Sequence, residues 1–376
     1  MGFKTSHSQN SSYLFCPKKW SLQYQDGWLP ETEGASLPFG TAMDRAVSSM
    51  LEGNHQWLQK FYDNWETEFK NGQIRKILDD DKIVYSNKDF DGDILEQQDI
   101  PILEKWAKEL SLLQPTATPS KQDLIDLFRQ CSKAKSSPYI TATQEQLKYF
   151  NKCSWLSLKR KGKLLLTAFE QQVKPKIKRI ISLQKRGEIK DESTGDGIIG
   201  YIDMVLELEG YNKAIIFDLK TASMLYDQFQ VDVSPQLTLY AAMEGKTYNT
   251  DLVGYLVLPK NIQKDSVFHC KTCGFKKATG HRTCNNILGT NSNARCGGIW
   301  EETKIPIPQV QIMVEKKTPE QINDLLVDIG NMILAMKNGI VYKNTNRCQD
   351  HFGSNCPFIN LCHKGDSTGL IQKIKK

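Results

Sequence analysis

Apolar residues recur every three or four positions through the first part of the chain, which is the period of an amphipathic helix. This pattern predicts helices over 10–25 and, after a loop rich in Gly, Pro and Glu, over 41–113. A polar segment at 114–121 predicts a loop or linker, and helical patterns return at 123–131 and 155–176. The N-terminal part of the chain is therefore expected to be helical.

Beyond this part the pattern changes to short apolar runs rich in β-branched residues, which indicate strands. The predicted strands are 180–183, 198–208, 214–219, 252–258 and 305–314. Helical patterns occupy 233–243 and 319–337, the second with Thr318 as a suitable N-cap. Strands interrupted by helices predict a mixed α/β core.

The composition is that of a folded globular protein, because 39% of the 376 residues are hydrophobic and 24% are charged. No apolar run approaches the roughly 20 residues that a membrane-spanning helix needs, so no membrane contact is expected. Residues 1–12 are polar and lack the apolar core of a secretory signal, which predicts a cytoplasmic location. The net charge of +6 is compatible with nucleic-acid binding but does not demonstrate it.

Clustered cysteines in a chain without a secretory signal indicate metal binding rather than disulfides. The first cluster contains Cys270, Cys273, Cys284 and Cys296. A C-x2-C pair places two thiolates on one turn, and two such pairs complete a tetrahedral zinc site. The second pair is stretched here, and His281 is an alternative ligand. We predict a structural Zn²⁺ in a zinc-ribbon-like insertion over 261–303, ordered by the metal.

A second group of cysteines near the C-terminus is one ligand short of a four-ligand site. It contains Cys348, Cys356 and Cys362. The fourth ligand could come from elsewhere in the chain. The alternatives are a small zinc site that uses His351 or His363, or free thiols. The isolated Cys131 and Cys153 are expected in the core.

Two acids and a lysine are predicted to meet on neighbouring strands. Asp203 lies in one predicted strand and Asp218 near the end of the next. Lys220 shares a face with Asp218, because side chains two apart on a strand point the same way. Adjacent carboxylates need a cation, and hard oxygen ligands select Mg²⁺ or Mn²⁺. A lysine beside the metal can activate water or stabilise phosphate charge, which is the equipment for phosphodiester hydrolysis.

The following helix adds two hydrogen-bonding side chains. Gln236 and Tyr240 are four residues apart, share a helix face and could steady the lysine or a phosphate. Taken singly, each motif has a simpler explanation: a surface ion pair for Asp218 and Lys220, and a solvated helix face for Gln236 and Tyr240. Their occurrence in order on strand, strand and helix favours the functional interpretation.

These motifs carry a resemblance to a known family. G-x-x-D occurs at 200–203, D-x-K-T at 218–221 and Q-x3-Y at 236–240, and segments 11–20 (SSYLFCPKKW) and 39–43 (FGTAM) match as well. The chain resembles the RecB-like branch of the PD-(D/E)xK nuclease superfamily. That branch includes the RecB and AddB nuclease domains, CRISPR-associated RecB-like nucleases and many phage exonucleases.

The resemblance implies a restriction-endonuclease-like fold, a mixed β-sheet core flanked by helices, with a helical N-terminal part and the zinc-ribbon insertion. We expect a helical N-terminal region with the first nuclease motif at 1–150 and the nuclease core at 151–260. The insertion follows at 261–303, and 304–376 holds the C-terminal strand, helix and cysteine group.

The resemblance also implies roles for the site residues. Asp203 and Asp218 would hold Mg²⁺ or Mn²⁺, with the carbonyl of Leu219 as a further ligand. Lys220 would orient and activate the attacking water, while Gln236 and Tyr240 would position the phosphate or the lysine.

One position departs from the family pattern. Family members usually carry a histidine metal ligand just after F-G-T-A-x, where this chain has Asp44. Asp44 is therefore a candidate metal ligand, with an exposed helical acid as the alternative. The family's upstream glutamate has only Glu170 as a weak counterpart here.

Iron–sulfur members of the family join one cysteine before the first motif to three near the C-terminus. Cys16 matches the first, and Cys356 and Cys362 match a C-x5-C pair, whereas Cys348 departs from the family spacing. The resemblance implies a [4Fe–4S] cluster that connects the two ends of the chain. The alternative for Cys16 is a buried thiol.

The predicted function is a metal-dependent deoxyribonuclease, an exonuclease acting on DNA ends or single strands in recombination, repair or phage DNA processing. Basic clusters at 159–163 and 174–179 could follow a DNA backbone, although such runs are more often solvated faces. A helicase or recombination protein is the expected partner. One alternative is a catalytically weak DNA-binding subunit that uses its cysteine clusters for structure and docking; another is an RNA or damaged-base enzyme.

Overall fold

A computed structural model describes residues 2–70, 73–137, 139–277, 283–284, 286, 295–349 and 355–373. Its helices are α1 (His7–Phe15), α2 (Pro17–Trp20), α3 (Ser36–Leu51), α4 (Trp57–Glu66), α5 (Ile100–Glu109), α6 (Lys121–Ser136), α7 (Gln144–Gln172), α8 (Gln228–Asp232), α9 (Pro235–Tyr248), α10 (Pro319–Lys337) and α11 (Ile359–Lys364). None of the helices in these ranges combines the length and hydropathy that crossing a bilayer requires.

The strands are β1 (Lys4–Ser6), β2 (Trp28–Pro30), β3 (Glu33–Gly34), β4 (Thr67–Lys70), β5 (Gln73–Lys76), β6 (Ile83–Val84), β7 (Ile177–Lys190), β8 (Gly197–Leu208), β9 (Ile215–Ala222), β10 (Leu252–Pro259), β11 (Gln263–Cys270), β12 (Lys276–Lys277), β13 (Trp300–Ile307), β14 (Gln311–Lys316) and β15 (Leu370–Gln372).

The chain folds into two compact units. The first consists of Met1–Val84, Phe169–Leu258 and Val310–Lys376, and the second of Tyr85–Ala168 and Pro259–Gln309. The four regions expected from the sequence are continuous stretches of the chain, whereas each of the two units combines segments that are distant in sequence. The two divisions are not directly comparable, and the four regions stay a prediction.

The first unit is built on a six-stranded mixed sheet in the order β1-β8-β9-β10-β14, with β7 paired to β8. β8 is antiparallel to both β7 and β9 and parallel to β1, and β10 is antiparallel to β14. Helices flank this sheet: side chains of α9 and α10 belong to its buried hydrophobic clusters. The predicted mixed α/β core is confirmed.

The central strand β8 carries a break in pairing along one of its edges. β7 follows its other edge for the full length, from Ile177 opposite Leu208 to Lys190 opposite Gly197. β1 pairs only as far as Ile199, and pairing with β9 begins at Met204. Residues 200–203 of β8 therefore have no partner on that edge among the described strands, and these residues are the G-x-x-D motif.

Helix α3 begins at Ser36, five residues before the predicted start, so the predicted loop is shorter than expected. Pro38 lies in its first turn, where a missing N–H breaks no helical hydrogen bond. The helix packs against the end of β9 at Gly40, where an added Cβ would lie 3.2 Å from Thr221 Oγ1. This close approach brings the next turn of α3, with Asp44, towards the strand that carries Asp218.

The strand expected over 305–314 is wrong as a single element. It is divided into β13, which pairs with β11 in the second unit, and β14, which pairs with β10 in the first. Pro308 lies at the break, and proline cannot donate a ladder hydrogen bond. The predicted strand at 180–183 is in turn part of the much longer β7, most of whose residues are polar.

The second unit contains helices and the small antiparallel sheet β12-β11-β13. β11 and β13 pair from Gln263 opposite Ile307 to Cys270 opposite Trp300. The four-cysteine cluster lies at the closed end of this pair, which confirms a cysteine-bearing insertion on a small antiparallel sheet.

Candidate active site

The two predicted acids lie side by side on β8 and β9. The register pairs Met204 with Phe217, and its continuation places Asp203 opposite Asp218. The backbone N–H of Leu219 donates to Asp203 Oδ2 at 2.8 Å. The carboxylate of Asp203 is therefore hydrogen-bonded to the segment of β9 that carries Asp218 and Lys220. A role for the Leu219 carbonyl stays a prediction.

Asp218 is almost fully buried, with 3% of its surface exposed. Gln236 Nε2 donates to its Oδ1 at 2.6 Å, and the hydroxyl of Tyr240 lies 3.2 Å from the same oxygen. Lys220 Nζ forms an ion pair with Oδ2 at 2.7 Å. Oδ2 accepts no hydrogen bond of good geometry, although it is buried. It therefore keeps acceptor capacity for a cation.

Lys220 is held on two sides. Besides the ion pair, its Nζ donates to Gln236 Oε1 at 2.9 Å, and the same amide thus connects Lys220 with Asp218. Burial lowers the pKa of Lys220, but the charge of Asp218, its hydrogen bond to the lysine and the charges of Tyr255 and Asp203 together outweigh burial, so the pKa lies above its usual value. The amine is therefore a fixed ammonium, suited to orienting a water molecule or balancing charge on a phosphate.

Helix α9 carries Gln236 and Tyr240 on the same face, as their spacing predicts. Ser234 caps the helix by accepting from Leu237 N–H, and Pro235 occupies the first position. Gln236 Nε2 also donates to the Tyr240 hydroxyl at 2.8 Å. That hydroxyl donates at 2.7 Å to the carbonyl of Tyr201, which lies on the free edge of β8. The Tyr240 side chain thus supplies a hydrogen bond to the backbone of β8 where strand pairing is interrupted.

Asp44 lies close enough to interact with both strand acids. Burial raises its pKa, and a hydrogen bond from Gln184 opposes this rise while the charge of Asp218 adds to it. Burial and then the charge of Asp218 raise the pKa of Asp203, and Asp44 contributes further. Asp218 thus raises the pKa values of both other acids, and neighbouring carboxylates of this kind favour a cation.

The donors in this group suit a divalent cation in kind, although Asp44, Asp203 and Asp218 do not bring three ligand atoms within 4.8 Å of one another. The donors are carboxylate oxygens, which Mg²⁺ and Mn²⁺ prefer. Asp218 Oδ2, which is paired with the ammonium of Lys220, keeps acceptor capacity, and the repulsion between the acids is what a cation would relieve. The residues that could hold the metal are Asp44, Asp203 and Asp218.

Two residues near this group were missed by sequence reasoning. Gln184 on β7 donates to Asp44, and His7 begins α1. Burial lowers the pKa of His7, and the charge of Lys220 lowers it further, which places the imidazole near the lysine. Neither residue belongs to a motif, so no sequence signal pointed to them. The candidate Glu170 accepts a hydrogen bond from the indole of Trp57 at 3.2 Å, and its role stays a prediction.

The cysteines of the insertion converge on one point. The sulfurs of Cys270, Cys273, Cys284 and Cys296 all lie within 4.8 Å of one another. Cys270 and Cys296 are 3.5 Å apart, and Cys273 and Cys284 are 3.7 Å apart. Tetrahedral zinc with bonds of about 2.3 Å separates its sulfur ligands by about 3.8 Å, so a single ion fits. His281 lies outside the described residues.

The remaining cysteine group lines a separate small cavity of about 20 Å³. Its lining includes Cys16, Cys348, Cys356 and Cys362, together with His363. Cys356 N–H donates to the carbonyl of Cys348 at 2.7 Å, and His363 Nε2 lies 3.6 Å from Cys348 Sγ. Among the described residues only the insertion cysteines bring three or more ligand atoms within 4.8 Å of one another. His351 lies outside the described residues.

The basic residues at 159–163 form hydrogen bonds and ion pairs within the second unit. Lys161 is buried and donates to the carbonyl of Lys88, while Arg160 forms an ion pair with Asp99 at 2.6 Å. Lys163 pairs with Glu96. These contacts favour a structural role for the cluster over a DNA track.

Comparison with protein families gives one match that covers almost the whole chain. A model described as the PD-(D/E)XK nuclease superfamily matches residues 4–363. No curated protein matches the chain.

Proposed function

We infer the function of this chain from its family, because it belongs to the PD-(D/E)XK nuclease superfamily. We propose that it is a metal-dependent deoxyribonuclease of the RecB-like branch that hydrolyses phosphodiester bonds. The observation that carries the proposal is the contact network of Asp203, Asp218 and Lys220, with Gln236 holding the acid and the amine together.

The proposed roles of the side chains combine their contacts with the family resemblance. Asp203, Asp218 and Asp44 hold Mg²⁺ or Mn²⁺, with the Leu219 carbonyl as a further ligand. When bound, the metal makes water more acidic and stabilises charge on the phosphate. Lys220 orients the attacking water and balances the charge that develops on the phosphate oxygens.

Gln236 and Tyr240 keep this arrangement rigid. The amide of Gln236 fixes the distance between Asp218 and Lys220, because it donates to one and accepts from the other. Tyr240 anchors α9 to the free edge of β8 through the Tyr201 carbonyl. Preorganised donors of this kind need no rearrangement during the reaction.

For the substrate, we propose DNA ends or single strands, with exonucleolytic cleavage in recombination, repair or phage DNA processing. The support is the motif order that resembles the RecB-like branch. A helicase or recombination protein is the proposed partner, on the strength of the same resemblance.

We also propose two structural metal sites. The tight convergence of the insertion cysteines supports a single Zn²⁺. The wider group supports a [4Fe–4S] cluster, because its four thiols surround a cavity that Lys19, Lys343 and Arg347 also line, and these cations would balance the cluster's negative charge.

The proposal is tested by incubating the purified chain with labelled single-stranded DNA, double-stranded DNA and RNA, in Mg²⁺, Mn²⁺ or EDTA. We expect DNA to be cleaved with either metal and to remain intact in EDTA. DNA that is bound but not cut with both metals would support the alternative of a DNA-binding subunit, which the exchange of histidine for Asp44 motivates. Preferential cleavage of RNA would contradict the substrate assignment.

A further inference from the structure

Gln184 has an unusual backbone for a residue within a strand. Its φ is +49°, a left-handed conformation that side chains other than glycine rarely adopt. The flanking residues keep regular pairs, Leu183 with Met204 and Lys185 with Ile202, so Gln184 lies opposite Asp203. Strained residues of this kind persist where the surroundings fix them, and they concentrate at functional sites.

Within the part of the chain that the structure describes, the hydrogen bonds of the Gln184 side chain all go to α3. Its Nε2 donates to Asp44 Oδ1 at 3.0 Å and to Oδ2 at 3.1 Å. The same nitrogen lies 3.5 Å from the hydroxyl of Ser48, one helical turn further along. Gln184 is exposed and therefore contributes little to the packing of the core.

A neutral partner leaves the negative charge of Asp44 available. The adjacent Arg45 directs its guanidinium to Asn64 Oδ1 at 2.6 Å. A cationic side chain bonded to Asp44 would compete with a metal ion for the carboxylate. The amide of Gln184 instead orients the carboxylate without neutralising its charge. Outer partners that orient metal ligands typically change metal affinity by about 10- to 100-fold when removed.

We propose that Gln184 is a positioning residue that holds the carboxylate of Asp44 towards Asp203 and Asp218, so that the three acids bind one divalent cation. The left-handed backbone at Gln184 is part of the geometry that places its amide against α3. This inference rests on the proposed function, because it assigns Asp44 to the metal site.

The test is Mn²⁺ binding by titration calorimetry on the full chain. Gln184→Gly removes the amide while relieving the backbone, because glycine adopts positive φ without strain. We expect Mn²⁺ to bind about 10-fold more weakly, with an unfolding temperature at least equal to that of the parent. A purely structural role would instead leave Mn²⁺ affinity unchanged. Gln171→Ala, at an exposed glutamine of the same unit, is the matched control and should bind like the parent.

A double variant shows whether Gln184 acts through Asp44. In a chain that already carries Asp44→Ala, adding Gln184→Gly should leave Mn²⁺ affinity unchanged, because the amide has lost its partner. An equal loss in both backgrounds would overturn the inference. Cleavage by Gln184→Gly should recover at high Mn²⁺ concentration with an unaltered KM for DNA.

The outcomes separate this inference from the proposed function. If the parent chain binds Mn²⁺ and Asp203→Ala abolishes binding, but Gln184→Gly binds normally, only the role of Gln184 is wrong. If the parent binds no Mn²⁺, the metal site itself and the inference built on it are both wrong.

Discussion

At the level of single residues, two buried charged side chains, Asp218 and Lys161, have different hydrogen-bond partners. Asp218 is surrounded by an amide, a hydroxyl and an ammonium, each from a residue of the recognised motifs. Lys161 is equally buried, yet it donates its hydrogen bond to the neutral carbonyl of Lys88. The first arrangement is suited to a site that gains a cation, whereas in the second the burial of a positive charge opposes folding, although Asp91 and Asp89 partly offset it.

Lys161 gives a prediction about pH. Burial lowers its pKa to about 8, while the unfolded chain keeps the ordinary value of 10.5. Between these values the unfolded state binds more protons, so stability should rise with pH from about 8 to 10.5. Lys161→Met should raise the free energy of unfolding at pH 7 by about 1–3 kcal/mol and remove this rise.

The measurement is urea unfolding at pH 7 and pH 10 for the parent and the variant. Lys148→Met, at an exposed position of the same helix, is the control and should leave both values unchanged. A Lys161→Met variant less stable than the parent at pH 7 would contradict the account of this lysine.

At the level of elements, sequence patterns predicted the parts of the site that lie on regular structure. Asp203, Asp218 and Lys220 could be placed because alternation on a strand fixes which side chains share a face. Gln184 could not, because a left-handed residue inside a strand has no pattern of its own. β7 was predicted only in part, since its mixture of basic and polar residues hides the strand period.

The break in the strand at Pro308 was missed for a similar reason. The apolar residues on both sides of it form one continuous pattern, although they belong to strands in different sheets. Which sheet a strand joins depends on contacts far along the chain, and a local pattern does not contain that information.

The small sheet of β11, β12 and β13 is expected to depend on its metal. Cys273→Ser removes one of four converging thiolates, so bound zinc should fall from about one per chain to near zero. The sheet should then become sensitive to protease, because it buries few apolar side chains of its own. Metal analysis and limited proteolysis are the measurements.

Thr272→Ala is the control, since this exposed neighbour supplies no side-chain ligand. Full zinc content in Cys273→Ser, with Thr272→Ala behaving like the parent, would contradict the assignment of the four cysteines.

At the level of the whole molecule, the first unit brings the two ends of the chain together. β2 pairs with β15, and the hydroxyl of Tyr13 donates to the carbonyl of Ile340 at 2.7 Å. Cys16 lines the same cavity as Cys348, Cys356 and Cys362. The proposed iron–sulfur cluster would therefore strengthen a junction that the backbone already forms.

Removing one thiol tests that cluster. Anaerobically purified parent protein should be brown, with about four irons per chain, and Cys356→Ser should lose the iron and the colour. The unfolding temperature should fall, because the cluster connects segments that are distant in sequence. Cys131→Ala, at a buried cysteine of the second unit, should keep its iron; an iron-free parent with a second zinc would contradict the cluster type.

The central claim is that Lys220, together with the acids beside it, cleaves the DNA backbone. Its most direct test is the rate of Mn²⁺-dependent DNA cleavage by Lys220→Ala, with Lys213→Ala, an exposed lysine just before β9, as the matched control. We expect Lys220→Ala to lose roughly 100- to 1000-fold in rate while it stays folded, and Lys213→Ala to cleave like the parent. Full activity in folded Lys220→Ala would contradict the account.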